Sequence, residues 1–426
     1  MLSVQAVQAK GGKPMEMRAK VVANDRTYNW PRYPTVVICC DGSEPAYMEQ
    51  ALADGLMPNL KQIIAKGVDL RGKSVIPSFT NPNNLSIVTG RPPAVHGISG
   101  NYFYDKTINK EVMMNDPSFL RAPTIFEKFQ RAGASIVIVT AKEKLRTLLG
   151  HGLDFSRGTA ICISSEKSDE STIAGNGIEH VNDLVGMDVP DVYSLELSEF
   201  VFVAGTKLMT KVRPDLMYLS TTDFIQHKFG PGSAGANAFY AMMDRYLGEL
   251  DRSGAVIVLT ADHGMKDKHI GGQPDVIYLQ DLLDAWYGKE SSRVILPITD
   301  PYVVHHGALG SFATVYLDDK LDAELVLQRI QALPKVQIAV SGDEGCKMFD
   351  LPRDRMGDII VVSSDSKVIG TRESEHDLSG LNEPLRSHGG LSEQTIPIIL
   401  NRKLTDQPSN LHNYDAFDLG LNRAMA

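Results

Sequence analysis

Cysteine is scarce in this 426-residue chain, which has four: Cys39, Cys40, Cys162 and Cys346. They are too few and too scattered for a disulfide framework. Cys39 and Cys40 are neighbours in the apolar run TVVICCDG, where successive side chains leave opposite faces of a strand, so a bond between them would be strained. A reducing compartment follows. Positive charge is also short, with 43 Lys and Arg against 52 Asp and Glu and a formal net charge of −9. That excludes a protein that coats nucleic acid by neutralising its phosphates. No apolar run approaches the roughly 20 residues of a membrane helix, and residues 1–30 contain no stretch of signal-peptide length. The expectation is a soluble, cytoplasmic protein with a loose N-terminal arm over residues 1–30 and no membrane or nucleic-acid partner.

What is present is globular in character: 43% of residues are apolar and 22% charged, close to the average for folded domains. Four short, β-branched apolar runs stand out, TVVIC (35–39), SIVIVT (135–140), DLMYLS (215–220) and AVIVLT (255–260). Runs of this kind fit strands covered on both faces in a parallel sheet. Amphipathic stretches lie between them: residues 57–67 and 124–133 each place apolar side chains on one face and end at a glycine, Gly67 or Gly133. Strand alternating with helix predicts an α/β fold. The rhythm changes near residue 270, and residues 290–375 read as short strands around one helix, a compact α+β insertion. TIPIIL (395–400) then returns to the main sheet. The predicted organisation is an arm (1–30), a core (31–275), an inserted cap (276–378) and the second part of the core (379–426).

In an open α/β sheet, ligands bind beyond the carboxyl ends of the strands. Asp41 follows the first run, Lys142 and Lys144 the second, Asp223 and His227 the third, and Asp262 and His263 the fourth. Asp223 and His227 are four apart, so on a helix they share one face and can grip one ion. His388 stands in a glycine-flanked RSHGG, and the glycines favour it as a ligand over His269 or His376. Taken singly, each is an ordinary strand-end acid or a satisfied histidine. Together, Asp41, Asp262, His263, Asp223, His227 and His388 make two sets of three, and mixed carboxylate and imidazole donors suit zinc, with manganese or iron accepting much the same set.

A second cluster is VIPSFTNPNNLSIVTGRPPAVHGISGN (75–101). Thr80 precedes Asn81-Pro82, and Pro82 is well placed to start a helix. A threonine here is either a helix cap or, beside a metal, a nucleophile. His305 and His306 in the insertion line a cap floor or reach substrate only on a weaker reading.

Asp41 after a strand, Thr80 followed by Asn-Pro-Asn and VTG, the run HGISGN, the Asp223/His227 pair, Ala-Asp262-His263-Gly-Met and His388-Gly-Gly together resemble the alkaline phosphatase superfamily, nearest its nucleotide pyrophosphatase/phosphodiesterase branch. The resemblance spans residues 33–265 and 385–400. With NDRTYNWP, VTAKEKLRTLLG and YVVHHGALGSFATVYL it extends to the carbon–phosphorus hydrolases that act on phosphonoacetate. It implies an α/β/α sandwich with a smaller inserted α+β cap and two zinc ions per chain. One zinc would be held by Asp223, His227 and His388, the other by Asp41, Asp262, His263 and Thr80, with Thr80 as the nucleophile that forms a phosphothreonine intermediate. Asn101 would contact a phosphonyl oxygen, and Lys142 and Lys144, taken as pointing to the same side of a strand end, would hold the substrate carboxylate. The implied reaction is hydrolysis of phosphonoacetate, a small-molecule phosphonate, to acetate and phosphate. A phosphodiesterase or nucleotide pyrophosphatase with the same metals and nucleophile is the alternative. A silent scaffold would have lost a ligand or the nucleophile, and all are present. A homodimer stays open.

Overall fold

Val36, Val37, Ile38 and Cys39 run without a polar residue, and a strand of this kind is stable only where both faces are covered. Thr35–Cys39 accordingly lies at the centre of a seven-stranded sheet in the computed structural model, which describes residues 20–298, 309–379, 381 and 383–425. The strand order is Val68–Lys73, Thr395–Leu400, Val256–Thr260, Thr35–Cys39, Leu216–Ser220, Ile136–Thr140 and Ala160–Ser164. Neighbours are parallel except at Thr395–Leu400, which runs antiparallel to the strands on either side of it. The four predicted strands and the returning TIPIIL are all in this sheet. Val37 and Cys39 enter the core on one face and Val36, Ile38 and Cys40 the core on the other, and all four cysteines are free and buried.

The register positions the site. Thr260, Cys39, Ser220 and Thr140 stand side by side across four neighbouring strands. The residues that follow them therefore emerge together along one edge of the sheet.

Two strands of the sheet were not predicted. Val68–Lys73 pairs along its length with Thr395–Leu400, stands last in the order of this sheet, and alternates buried or half-buried with exposed positions, as an edge strand does. Ala160–Ser164 is fully buried, and its apolar run, Ala160 to Ile163, is only four residues long, too short to separate a strand from other buried structure by pattern alone. Helices Pro58–Lys66 and Ile125–Arg131 occupy the predicted stretches, the latter capped by the Thr124 hydroxyl, which accepts from the Glu127 N–H at 3.1 Å. Gly67 ends its helix for a reason other than a left-handed turn: a Cβ there would lie 1.8 Å from the Leu400 carbonyl oxygen. Two longer helices, Glu196–Val212 and Ala234–Arg252, cover one face of the sheet with Phe200, Leu208, Phe239 and Leu247.

The insertion contains a four-stranded antiparallel sheet ordered Ser292–Ile295, Phe312–Leu317, Ile359–Ser363 and Val336–Ser341. Among the described residues, the stretch 290–375 holds two α-helices rather than one, Ala323–Gln331 and Gly342–Phe349, and a further helix, Leu279–Tyr287, precedes it. The core of the insertion, built on Val315, Ile330, Ile360 and Val362, also takes in Phe79. Residues 21–28, read as loose arm, form a hairpin of Val21–Ala23 with Arg26–Tyr28. Val21, Ala23 and Tyr28 are buried there, and Tyr28 meets Phe129 at a ring distance of 6.4 Å. Among the described residues no helix is long and apolar enough to cross a membrane.

Candidate metal and catalytic site

Asp41, Asp223, Asp262 and His263 leave the aligned strand ends and His388 arrives on the returning chain. Asp223 caps the short helix Phe224–Lys228, whose His227 N–H donates to the Asp223 carbonyl at 2.9 Å, so the four-residue spacing brings both side chains together. His227 Nε2 is 3.0 Å and His388 Nε2 3.6 Å from Asp223 Oδ2. His263 Nε2 is 3.3 Å from Asp41 Oδ1 and 3.6 Å from Asp262 Oδ2. The structure thus assembles the same two sets of three, Asp223, His227, His388 and Asp41, Asp262, His263, each with its donor atoms within 4.8 Å of one another.

The histidine tautomers follow from their partners. Nδ1 of His227 faces the Arg386 carbonyl at 2.8 Å, Nδ1 of His388 the Ser78 carbonyl at 2.8 Å, and Nδ1 of His263 the Gly264 carbonyl at 2.9 Å. A carbonyl only accepts, so each Nδ1 carries the proton and each neutral ring turns its Nε2 lone pair toward the carboxylates. This explains why Asp41 Oδ1, buried and 3.3 Å from His263 Nε2, has no hydrogen-bond partner. Lone pairs and carboxylate oxygens gathered this way repel one another unless a cation lies between them. The donors therefore fit a divalent metal in each group, with the outer ring nitrogens already held as metal-binding histidines require.

The electrostatics agree. Burial, followed by the charges of Asp223 and Asp262, pushes the Asp41 carboxyl well above its ordinary value, and burial raises that of Asp262. Burial would raise Asp223 too, but the positive charge that His227, His388 and His263 carry when protonated, with a hydrogen bond from His227, outweighs it and pulls that carboxyl well below the usual range, a pull that the neutral rings do not exert. His388 is pushed down by burial and by the neighbouring His263 and His227.

Thr80 opens helix Thr80–Thr89, whose remaining nine residues are all buried. The helix starts at Thr80 rather than at Pro82, and Phe79 caps it without a side-chain bond, so Thr80 is the first helical residue and not a capping threonine. Pro82 is tolerated because N–H groups of the first turn have no helical acceptor. Thr80 Oγ1 lies 3.4 Å from His263 Nε2. Phe79 is wedged edge-on between Phe312 of the inserted sheet at 6.3 Å and His388 at 5.5 Å, which fixes where the helix begins.

Asn101 is pinned by its backbone, its N–H donating to the Pro297 carbonyl at 3.1 Å and its own carbonyl accepting from Met114 at 2.8 Å, while its buried Oδ1 has no partner. The expectation that Lys142 and Lys144 point to the same side rests on a strand that ends at Thr140. Lys142 instead caps helix Glu143–Leu149 and is half-buried, whereas Lys144 lies within the helix and is exposed. His269 Nδ1 accepts from the Gly272 N–H and His376 Nε2 from that of Thr371, and neither belongs to a ligand group. His305 and His306 lie outside the described residues.

Apart from His388, the contacts that residues 386–393 make in the site were not read from the sequence. Besides His388, this segment supplies the Arg386 carbonyl to His227 and the Glu393 carbonyl to the Gly264 N–H at 2.7 Å. The Arg386 guanidinium donates to the Gln226 carbonyl at 2.9 Å and pairs with Asp267. Lys268 and Glu393, both wholly buried, pair at 2.8 Å. Lys268 ends the polar stretch ADHGMKDK (261–268), whose local sequence does not reveal that distant segments bury it, so no signal in the chain marks it.

A family model described as type I phosphodiesterase/nucleotide pyrophosphatase matches residues 35–391. The chain is 58% identical to phosphonoacetate hydrolase from Sinorhizobium meliloti 1021, solved with phosphonoformate and with phosphonoacetate, with a TM-score of 0.94 over 96% of this chain and 100% of that one. It is 26% identical over 255 residues to an uncharacterized pyrophosphatase/phosphodiesterase of Schizosaccharomyces pombe, covering 58% of this chain, and 26% identical over 251 residues to a venom phosphodiesterase of Macrovipera lebetinus, covering 55%. It spans 44% and 26% of the lengths of those two curated relatives. Murine ectonucleotide pyrophosphatase/phosphodiesterase 5 shares the fold at 19% identity, with a TM-score of 0.62 over 91% of this chain and 93% of that one. The chain belongs to the type I phosphodiesterase/nucleotide pyrophosphatase family, among the hydrolases of the alkaline phosphatase superfamily.

Proposed function

We propose that this protein hydrolyses the carbon–phosphorus bond of phosphonoacetate, giving acetate and phosphate. The observation that carries the reading is the Thr80 hydroxyl at the head of a buried helix, 3.4 Å from a histidine of one of two adjoining metal-ligand groups. The likeness to the S. meliloti phosphonoacetate hydrolase supports the choice of substrate. Asp41, Asp262, His263 and Thr80 would hold one zinc and Asp223, His227 and His388 the other. Bound there, the ions would supply positive charge that offsets the phosphonyl oxygens and favours ionised oxygen nucleophiles.

Thr80 gives up its hydroxyl proton as Oγ1 attacks phosphorus, the P–C bond breaks, and the electron pair of that bond leaves with the carbon. The carbon is adjacent to a carboxylate, so the departing group is enolate-like and takes up a proton to become acetate. Lys142 and Lys144 hold that carboxylate and offset the charge that builds on it. Asn101 donates a hydrogen bond to a phosphonyl oxygen. Water then attacks phosphorus, the P–Oγ bond breaks, and phosphate leaves with the Thr80 hydroxyl restored. In this arrangement residues 276–378 act as a cap that closes over a core of residues 31–275 and 379–426.

The test is phosphate release from phosphonoacetate, a phosphonate without a carboxylate, a phosphomonoester and a phosphodiester, before and after chelation and zinc restoration. Zinc-dependent preference for phosphonoacetate is expected. Preference for the diester would establish the phosphodiesterase reading, which the curated relatives favour.

A further inference from the structure

The geometry points to Asn84 as a positioning residue that sets the Asp262 carboxylate for its metal and ties it to the helix bearing the nucleophile, an inference that rests on the two-metal reading above. Asn84 is wholly buried, one turn into helix Thr80–Thr89. Its Nδ2 donates to the Thr80 carbonyl at 3.1 Å and to Asp262 Oδ2 at 3.2 Å. Its Oδ1 accepts from the Tyr218 hydroxyl at 2.7 Å and the Ser220 hydroxyl at 3.0 Å. Both donors and both acceptor positions of the amide are used. A carbonyl and a carboxylate only accept, so the amide cannot be flipped without placing Oδ1 against two oxygens.

The contact falls where it matters. Asp262 Oδ1 is occupied by the N–H groups of His263 at 2.9 Å and Gly42 at 3.2 Å. Oδ2 is the oxygen that faces His263 Nε2, and Asn84 leaves that atom a free lone pair while fixing its direction. Tyr218 and Ser220 lie on the strand that leads to Asp223, so one amide links the nucleophile helix to the strand ends serving both ligand groups. Outer partners of this kind typically contribute about 10- to 100-fold in metal affinity.

The experiment is a Zn²⁺ titration of metal-stripped protein against a chromophoric chelator, with thermal unfolding measured on the same samples. Asn84→Ala is compared with Asn401→Ala, which removes a buried amide bonded to Asp251 and the Ala255 carbonyl, remote from the ligand groups. Asn84→Ser replaces the alanine variant if that does not accumulate folded. Expected is an Asn84 variant whose affinity at one site falls by about 10- to 100-fold, with kcat reduced more than KM changed, while Asn401→Ala loses stability and binds Zn²⁺ as the parent does. Unchanged Zn²⁺ affinity in the Asn84 variants, or an equal loss in Asn401→Ala, overturns the assignment. A parent protein that binds no Zn²⁺ overturns the two-metal reading itself, and this inference with it.

Discussion

The imidazoles of His263 and His388 stack face to face, with ring centroids 3.8 Å apart and planes within 8° of parallel. One ring belongs to each ligand group, so the two sites share a wall, and His388 reaches it only after the chain has completed the inserted sheet. Removing metal leaves the stacked rings facing the carboxylates of Asp41, Asp223 and Asp262 with nothing between them. Chelation is therefore expected to lower the unfolding temperature, and Zn²⁺ at about 100 times its Kd to restore about 2.7 kcal/mol. Calorimetry with and without chelator tests this, and an unchanged transition would rule out metal as part of the folded site.

Thr80→Val removes the hydroxyl and keeps the β-branched shape. Turnover of phosphonoacetate should fall by at least about 10³-fold, while Zn²⁺ content measured by atomic spectroscopy stays close to that of the parent. Near-native phosphate release from this variant sinks the nucleophile assignment.

Replacing Lys142 and Lys144 together with alanine should reduce phosphonoacetate cleavage by about 10²-fold. Hydrolysis of an aryl phosphate, whose leaving group has no carboxylate, should suffer much less. Equal losses on the two substrates would show that the lysines do not act on the substrate carboxylate.

Five strands of the sheet, and the grouping of Asp41, Asp223, His227, Asp262 and His263, were legible because each rests on a local rule: an unbroken apolar run, the strand end that follows it, and a four-residue spacing on a helix, whereas His388 was singled out by its flanking glycines and the family resemblance. Val68–Lys73 was missed because an edge strand needs no continuous apolar run. The helix at Thr80 was placed two residues late because Phe79, rather than a polar cap, sets its start from the inserted core. Asn84, Arg386 and Lys268 escaped for one shared reason. A polar residue buried by segments distant in the chain looks on paper like any surface residue, and only the fold supplies its partners.

His96 offers a pH test apart from the ligand groups. It is wholly buried, its Nε2 2.9 Å from the Ser86 hydroxyl and its Nδ1 accepting from the Ile98 N–H at 3.2 Å, an arrangement that suits the neutral ring. Burial, and then the positive charge of Arg355, lowers its pKa from 6.5 to about 3. The unfolded chain thus binds a proton at His96 between these values while the folded protein does not. Its contribution to stability is intact above pH 6.5 and is lost as pH falls toward 3. His96→Gln has no proton to gain, so between pH 7 and pH 5 the parent should lose roughly 2 kcal/mol more stability than the variant. Urea unfolding of the metal-stripped proteins at the two pH values measures the difference, and a gap that does not change with pH would mean that His96 takes up its proton in the folded state.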